Sequence, residues 1–356
     1  MLHRTFDFGH AAIGWSTTHA RRAYGLDFEG HRTNNSSCRD GRICSWNISF
    51  ADAEDVRDGS REGTGMEVTP LELTTHRVRF IDLVELTKPR ITFLVLVTTL
   101  VGYYMASREG LRPVLLFHTI LGTALVAGGA SALNQYFERD LDARMHRTRN
   151  RPLPDGRLFP NEALLFSAVT SLAGAAYLMF FVNILTGLLG ILTLAAYIFV
   201  YTPLKTRTAM CTLIGAFPGA APPLMGWTAA RGEIDAVALS LFAILFLWQM
   251  PHFFAISWVF TEDYARGGFS MHVSGERTGR QIIFFCCALI PISVLPTLLG
   301  ITGIVYLLGA ILLGFVYLGY GFAVALFRSN THAQRLLRVS VLYLPALLVL
   351  MMIDKV

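Results

Sequence analysis

The sequence predicts an all-α integral membrane protein, and three observations carry that prediction. Of 356 residues, 53% are hydrophobic and only 15% are charged, whereas a soluble domain carries about 25% charged residues. Beyond residue 90 the apolar residues gather into runs of roughly 17–25, each long enough to cross a bilayer. Beyond that residue the charges sit mostly in short loops between those runs. The net charge of +5 therefore reflects membrane topology rather than a surface for nucleic acid.

The runs predict nine spans, at about residues 90–106, 113–135, 162–182, 184–203, 209–228, 236–258, 281–299, 302–327 and 338–353. Hydropathy alone would also allow eight. Gly122, Gly128, Gly129, Ala130 and Ser131 place small residues in the second span, where they permit close helix packing. One set of loops receives Lys88, Arg90, the run Arg139 to Arg157, Lys205, Arg207, Arg266, Arg277, Arg280, Arg328, Arg335 and Arg338. The opposite set receives only Arg108, Arg112, Arg231 and Lys355. This asymmetry predicts that the N-terminus and the basic loops face the cytoplasm.

Residues 76–356 form the predicted membrane domain. Residues 1–75 are polar, rich in Gly, Ser, Arg and Asp, and without sustained periodicity, so they read as a disordered extension. They contain no apolar core of the kind a secretory signal needs. Asp7, Asp27 and Glu29 argue against a mitochondrial presequence, and Met66 stands as an alternative start. The five cysteines, Cys38, Cys44, Cys211, Cys286 and Cys287, form no CxxC or CxxCH pattern. Neither a disulfide framework, a zinc site nor covalent haem attachment is indicated.

The chemistry concentrates in NQYFERDLDARMHRTRNRPLP, from Asn134 to Pro154. Asn134, Glu138 and Asp142 are spaced four apart and fall on one helix face, with Asp140 off that face. Carboxylates at a membrane edge are expensive and usually functional. An oxygen-rich face suits a divalent cation such as Mg²⁺, which binds through one or two carboxylates plus substrate phosphates. Arg147, Arg149 and Arg151 follow and can hold phosphate oxygens through forked hydrogen bonds. The plainer alternative is a juxtamembrane helix whose charges meet water and lipid headgroups.

This stretch resembles the first signature of the UbiA superfamily of intramembrane prenyltransferases. The resemblance implies nine transmembrane helices around a central cavity. It also implies an isoprenyl diphosphate bound through Mg²⁺ between two acidic motifs. Asp263, in E262-D-Y-A-R-G-G268, falls where the second motif is expected. Gly267 stands where that motif often has its second acid, leaving Glu262 as the available substitute. The implied metal set is Asn134, Glu138, Asp142 and Asp263, the same four residues being the catalytic candidates. Arg147, Arg151, Lys205 and Arg207 are the candidates for holding the diphosphate. Lys205 and Arg207 follow Y201-T-P-L on the same side as both acidic motifs.

The run W248-Q-M-P-H252-F resembles the haem-modifying, protohaem IX farnesyltransferase branch of that superfamily, as does the Gly/Pro-rich G215-A-F-P-G-A-A-P-P-L-M-G-W227. Pro251 opens the local helix ladder beside His252, a candidate contact for haem iron or a propionate, although a histidine there can also serve packing alone. The resemblance implies farnesyl transfer to a vinyl group of haem b, giving haem O for terminal oxidases. Farnesyl diphosphate and haem b would be substrates, the lipid bilayer the medium, and haem A synthase or terminal oxidase assembly proteins the prospective partners. Prenyl transfer to an aromatic acid or quinone precursor is the nearest alternative. A membrane transporter is a rival from another class, and a non-catalytic oxidase assembly factor a third.

Overall fold

The computed structural model describes residues 79–108, 110–270 and 275–356. The extension read over 1–75 lies outside the described residues. The described chain is helical, with one isolated bridge between Thr302 and Lys355. In order the helices are α1 (Pro89–Ala106), α2 (Pro113–Asp142), α3 (Pro160–Phe181), α4 (Ile184–Leu204), α5 (Cys211–Arg231), α6 (Ala236–Val259), α7 (Thr261–Arg266), α8 (Gly275–Leu298), α9 (Ile304–Phe327) and α10 (Asn330–Ile353). A further helical segment covers 79–86.

Nine of these helices match the nine apolar runs, but only eight are apolar enough by composition to be candidate spans. The ninth is α5, and its burial explains the difference. Fifteen of its 21 residues are buried, and it carries Pro218, Pro222 and Pro223 inside the helix. It packs against α1, α2, α4 and α6, so it faces protein rather than lipid and has no need of a long aliphatic surface. Interior prolines are tolerated at that depth because neighbouring helices shield the freed backbone groups. Small residues bring α1 and α5 together: a Cβ on Gly102 would collide with the Pro223 carbonyl, and one on Gly226 with the Thr99 carbonyl. In lipid, such close backbone approach supplies the packing that the hydrophobic effect does not.

Local signals set the helix ends. Proline occupies the first turn of α1, α2 and α3, where its missing N–H costs nothing. Asn183, Asp235 and Ser329 cap α4, α6 and α10 by accepting the backbone N–H of Thr186, Ala238 and His332. Helix α5 stops at Gly232, whose φ of 74° is the left-handed conformation that glycine adopts without strain. Three helices run further than their apolar runs, α2 through Asp142, α8 from Gly275 and α10 from Asn330. Charges end a hydropathy window, yet they do not end a hydrogen-bond ladder.

The largest buried cluster joins α1, α5 and α6 to α8, α9 and α10 around Trp227, Tyr306, Tyr317 and Tyr343. A smaller one, of Leu86, Ala132, Leu153, Leu158 and Ala163, fastens the 79–86 segment to α2 and α3. A third, of Val126, Ala175, Leu178 and Met225, lies between α2, α3 and α5.

Candidate functional site

The C-terminal half of α2 carries the site. Asn134, Glu138 and Asp142 are 2%, 5% and 1% exposed, as their four-residue spacing predicts for one inward face. Each meets a different element. Lys88, just before α1, donates from Nζ to Asn134 Oδ1 at 3.2 Å. Asn134 in turn donates to Thr202 Oγ1 at 3.4 Å. Lys205, just after α4, lies 2.6 Å from Glu138 Oε1. Arg151, from the loop after α2, lies 2.6 Å from Asp142 Oδ2. Two carboxylates thus face three cations, leaving a net positive pocket.

Lys88 was not legible as a site residue; the sequence shows it only as one more topogenic charge. Its backbone φ of 49° makes it, with Arg328, one of two non-glycine residues at positive φ among the described residues. Such strain persists where the surroundings over-determine it. Here the 79–86 segment does so: Arg157 is paired with Asp82 and Glu85, and Gln135 donates to the Leu86 carbonyl at 2.8 Å. Burial first, then repulsion from Arg151 and Lys205, lowers the Lys88 ammonium to about 7.

The second acid approaches from the other side. Asp263, on α7, is 9% exposed; it accepts the His146 N–H at 3.3 Å and lies 3.1 Å from Arg266. The Arg147 guanidinium packs over Phe260 and Tyr264, at 4.8 and 5.5 Å from the ring centres. Ser270 donates to the Lys205 carbonyl at 2.8 Å. The loops after α2, α4 and α7 are therefore joined, with acidic residues on two of the joined elements. Glu262, by contrast, has a side chain 95% exposed; it points to water, so the gap left by Gly267 is not filled from there. Arg207 is exposed and forms no ion pair among the described residues. Asp140, with a side chain 78% exposed, lies off the face as its spacing implies.

Below the charged pocket lies an apolar cavity of about 290 Å³ bounded by α1, α2, α4, α5 and Phe253 of α6. Three helices run from one region into the other along single faces. On α2 the face reads Thr123, Val126, Ala127, Ala130 and Ser131, then Asn134 and Glu138; on α4, Thr193 and Tyr197, then Tyr201; on α1, Val95 and Ile91, beneath Lys88. The face on α4 depends on one widened π-helical turn over Ala196–Tyr201, a device common at functional sites. The Lys205 ammonium sits 4.5 Å above the Tyr201 ring. Gly215 leaves room for that ring, since a Cβ there would collide with it.

His252 takes a different place. Its Nδ1 is 2.7 Å from Ser340 Oγ on α10, and its ring stacks on Trp248 at 5.1 Å. Trp248 donates to the Ser340 carbonyl at 2.9 Å. The next residue, Phe253, lines the cavity, so His252 stands on the α10 side of α6, away from the charged pocket.

The donor set fits a Mg²⁺–diphosphate rather than a metal held by protein alone. No group of three or more His, Cys, Asp or Glu side chains is placed to share one ion among the described residues. Mg²⁺ asks for less, commonly one or two carboxylates completed by phosphate and water oxygens. Glu138 Oε1 is buried and meets the Lys205 ammonium at 2.6 Å, an oxygen that a metal ion could take over once the lysine turns to a phosphate.

The profile of the UbiA prenyltransferase family matches residues 95–344. The chain is 47% identical over 287 residues to a protoheme IX farnesyltransferase of Solibacter usitatus, covering 77% of this chain and 98% of that one. It is 44% identical to a protoheme IX farnesyltransferase of Myxococcus xanthus over 77% of this chain and 95% of that one. Among solved structures, a digeranylgeranylglyceryl phosphate synthase superposes with a TM-score of 0.68 at 17% identity, over 77% of this chain and 98% of that one. An Archaeoglobus fulgidus UbiA homologue bound to GPP and Mg²⁺ superposes with a TM-score of 0.52 at 14% identity, over 76% and 99%. With its helical fold, its acid-lined pocket and these relatives, the chain belongs to the UbiA prenyltransferase family.

Proposed function

We propose that the chain transfers a farnesyl group from farnesyl diphosphate to a vinyl group of haem b, giving haem O. The observation that carries this is the continuity of a charged pocket with an apolar cavity along single faces of α1, α2 and α4. A ligand with an anionic head and an isoprenoid tail suits that shape. The haem acceptor is supported by the relatives named protoheme IX farnesyltransferase and by the W248-Q-M-P-H252-F run.

The reaction begins when the bond from farnesyl C1 to the diphosphate oxygen breaks. Charge then develops on the leaving group, where Lys88, Lys205 and Arg151 converge; fixed cations in a site shielded from water stabilise such charge strongly. Asn134, Glu138 and Asp142, with Asp263 opposite, would hold Mg²⁺, which neutralises diphosphate charge when bound. Arg147 completes the cationic rim, and Arg207 contributes only at long range. The allylic cation is left facing Tyr197 and Tyr201, whose rings attract positive charge. The vinyl carbon of haem b forms the new C–C bond, and water captures the resulting cation with loss of a proton. A dry cavity keeps water from reaching the allylic cation first. His252, outside this pocket, has its second ring nitrogen free to contact haem iron or a propionate.

The protein would lie in a bacterial inner membrane with the basic loops, and so the diphosphate pocket, on the cytoplasmic side. A haem A synthase or terminal oxidase assembly protein is the kind of partner that would take up the product. The test is Mg²⁺-dependent formation of farnesylated haem by purified protein, repeated with Asn134→Ala and Asp142→Asn. Prenylation of a hydroxybenzoate, with haem untouched, would transfer the assignment to the aromatic-acid branch. Substrate movement without any prenylated product would point to a transporter.

A further inference from the structure

The cavity beneath the charged pocket has an end, and its depth is readable from helix geometry. On α2 the lining runs from Ser131, just below Asn134, down to Thr123, so that Asn134 stands eleven residues or about 16 Å above Thr123 at about 1.5 Å per residue. On α5 it runs from Gly215 to Met225, a further ten-residue measure of about 15 Å. At this end Val126 and Met225 line the cavity and pack with Ala175 and Leu178 in a buried cluster. Thr123 stands beside them with a buried hydroxyl that has no partner. Four residues earlier Thr119 returns its hydroxyl to the Leu115 carbonyl; Thr123 does not, and its buried oxygen is left without a partner at the end of an otherwise apolar space.

We propose that Thr123, Val126 and Met225 form a floor that limits the donor to three isoprene units. An extended chain advances about 1.2 Å per backbone bond, so the main chain of a farnesyl group spans roughly 13 Å by the same measure. It fits the available depth with its tail against Met225. A four-unit chain, roughly 18 Å long on that scale, meets the buried Val126–Met225 cluster before its head reaches Lys88 and Asn134. Midway up, Ala127 and Ala130 line the same face; their small side chains leave the width that the chain occupies.

This rests on the donor reading above but not on the identity of the acceptor, so the test reads the donor alone. Full-length protein in nanodiscs with Mg²⁺ is loaded with labelled farnesyl diphosphate, which is then displaced by geranyl, farnesyl or geranylgeranyl diphosphate. The wild type should favour farnesyl over geranylgeranyl by about tenfold or more, the scale of discrimination by pocket size. Met225→Ala and Val126→Ala should raise the relative affinity for geranylgeranyl diphosphate until the preference is lost or inverted. Ala127→Leu should shift the preference towards geranyl diphosphate, a gain that misfolding cannot imitate. Equal competition by all three chains in the wild type overturns the proposal. So does a chain-length preference unchanged in both Val126→Ala and Ala127→Leu. No binding of any prenyl diphosphate by the wild type would instead remove the donor reading itself.

Discussion

The two ends of the helix bundle use their charges in opposite ways. At the end away from the site, cations close on backbone carbonyls. Lys355 donates to the Tyr104 and Ser107 carbonyls at 2.6 and 2.5 Å. Arg231 donates to the Ala106 carbonyl at 3.1 Å and Arg112 to the Ala230 carbonyl at 2.9 Å. These carbonyls belong to the last turns of α1 and α5 and their exits, where the helical hydrogen-bond ladder runs out of donors. At the site end, cations close on buried side-chain carboxylates: Lys205 on Glu138, Arg151 on Asp142. A carbonyl at a helix end has one use, so a cation placed there is a staple. A carboxylate can turn to a metal and release its cation to a phosphate. The first arrangement fixes the bundle; the second is poised to exchange partners.

Substitutions at the two ends should therefore differ in kind as well as size. The largest effect is expected at Asp142→Asn, which removes a carboxylate and strands Arg151. Initial rates with saturating donor should fall by about 10²-fold or more, the scale seen when a charge-stabilising group is lost, while the protein still elutes as a folded species. Lys205→Ala comes next: it leaves Glu138 buried without its cation, a loss of about 3–5 kcal/mol in stability together with a large loss of rate. Lys205→Arg should recover most of the stability. Equal thermal stability of wild type and Lys205→Ala would sink the description of a buried pair.

Lys355→Ala should produce the reverse pattern. Thermal stability drops by about 1–3 kcal/mol as two carbonyls lose a charged donor, whereas kcat with haem and farnesyl diphosphate stays close to wild type. A fall in kcat at unchanged stability would break the contrast between the ends. The two acids of α7 give a finer test of the same idea. Asp263→Asn should lower the rate and raise the Mg²⁺ requirement, while Glu262→Gln, with its side chain in water, should change neither measurably. The smallest effect is expected for Arg207→Ala, within about 0.5 kcal/mol in stability and about twofold in rate, as measured by steady-state turnover. A large loss there would show that the loop after α4 rearranges around the donor.

The sequence disclosed the parts of this arrangement that depend on local periodicity. The four-residue spacing from Asn134 to Asp142 was enough to place three side chains on one buried face. The apolar runs likewise marked the nine long helices, although α5, with its three prolines, falls short of the other eight in hydropathy. Positions set by tertiary structure were not visible in this way. Lys88 precedes a proline and neighbours Arg90, so it reads as a loop charge until the 79–86 segment and its strained backbone turn it inward. Arg207 and Lys205 are two residues apart and look equivalent, yet the chain leaves α4 with one pointing in and one out. The π turn that points Tyr197 and Tyr201 into the cavity leaves no mark on hydropathy. His252 stood in a legible motif, but no spacing rule tells which neighbour a buried imidazole chooses; it chose Ser340.

The Lys355 staple also has a meaning in time. Its acceptors, the Tyr104 and Ser107 carbonyls at the end of α1, enter the bilayer early in synthesis. Their partner lies beyond α10 and is translated about 250 residues later, so at roughly 5–20 residues per second those carbonyls wait tens of seconds. During that interval α1 is held by α2 and then α5, while the seam between α1 and α10 stays open. Chains halted before α10 would accordingly carry an unsealed flank along α1.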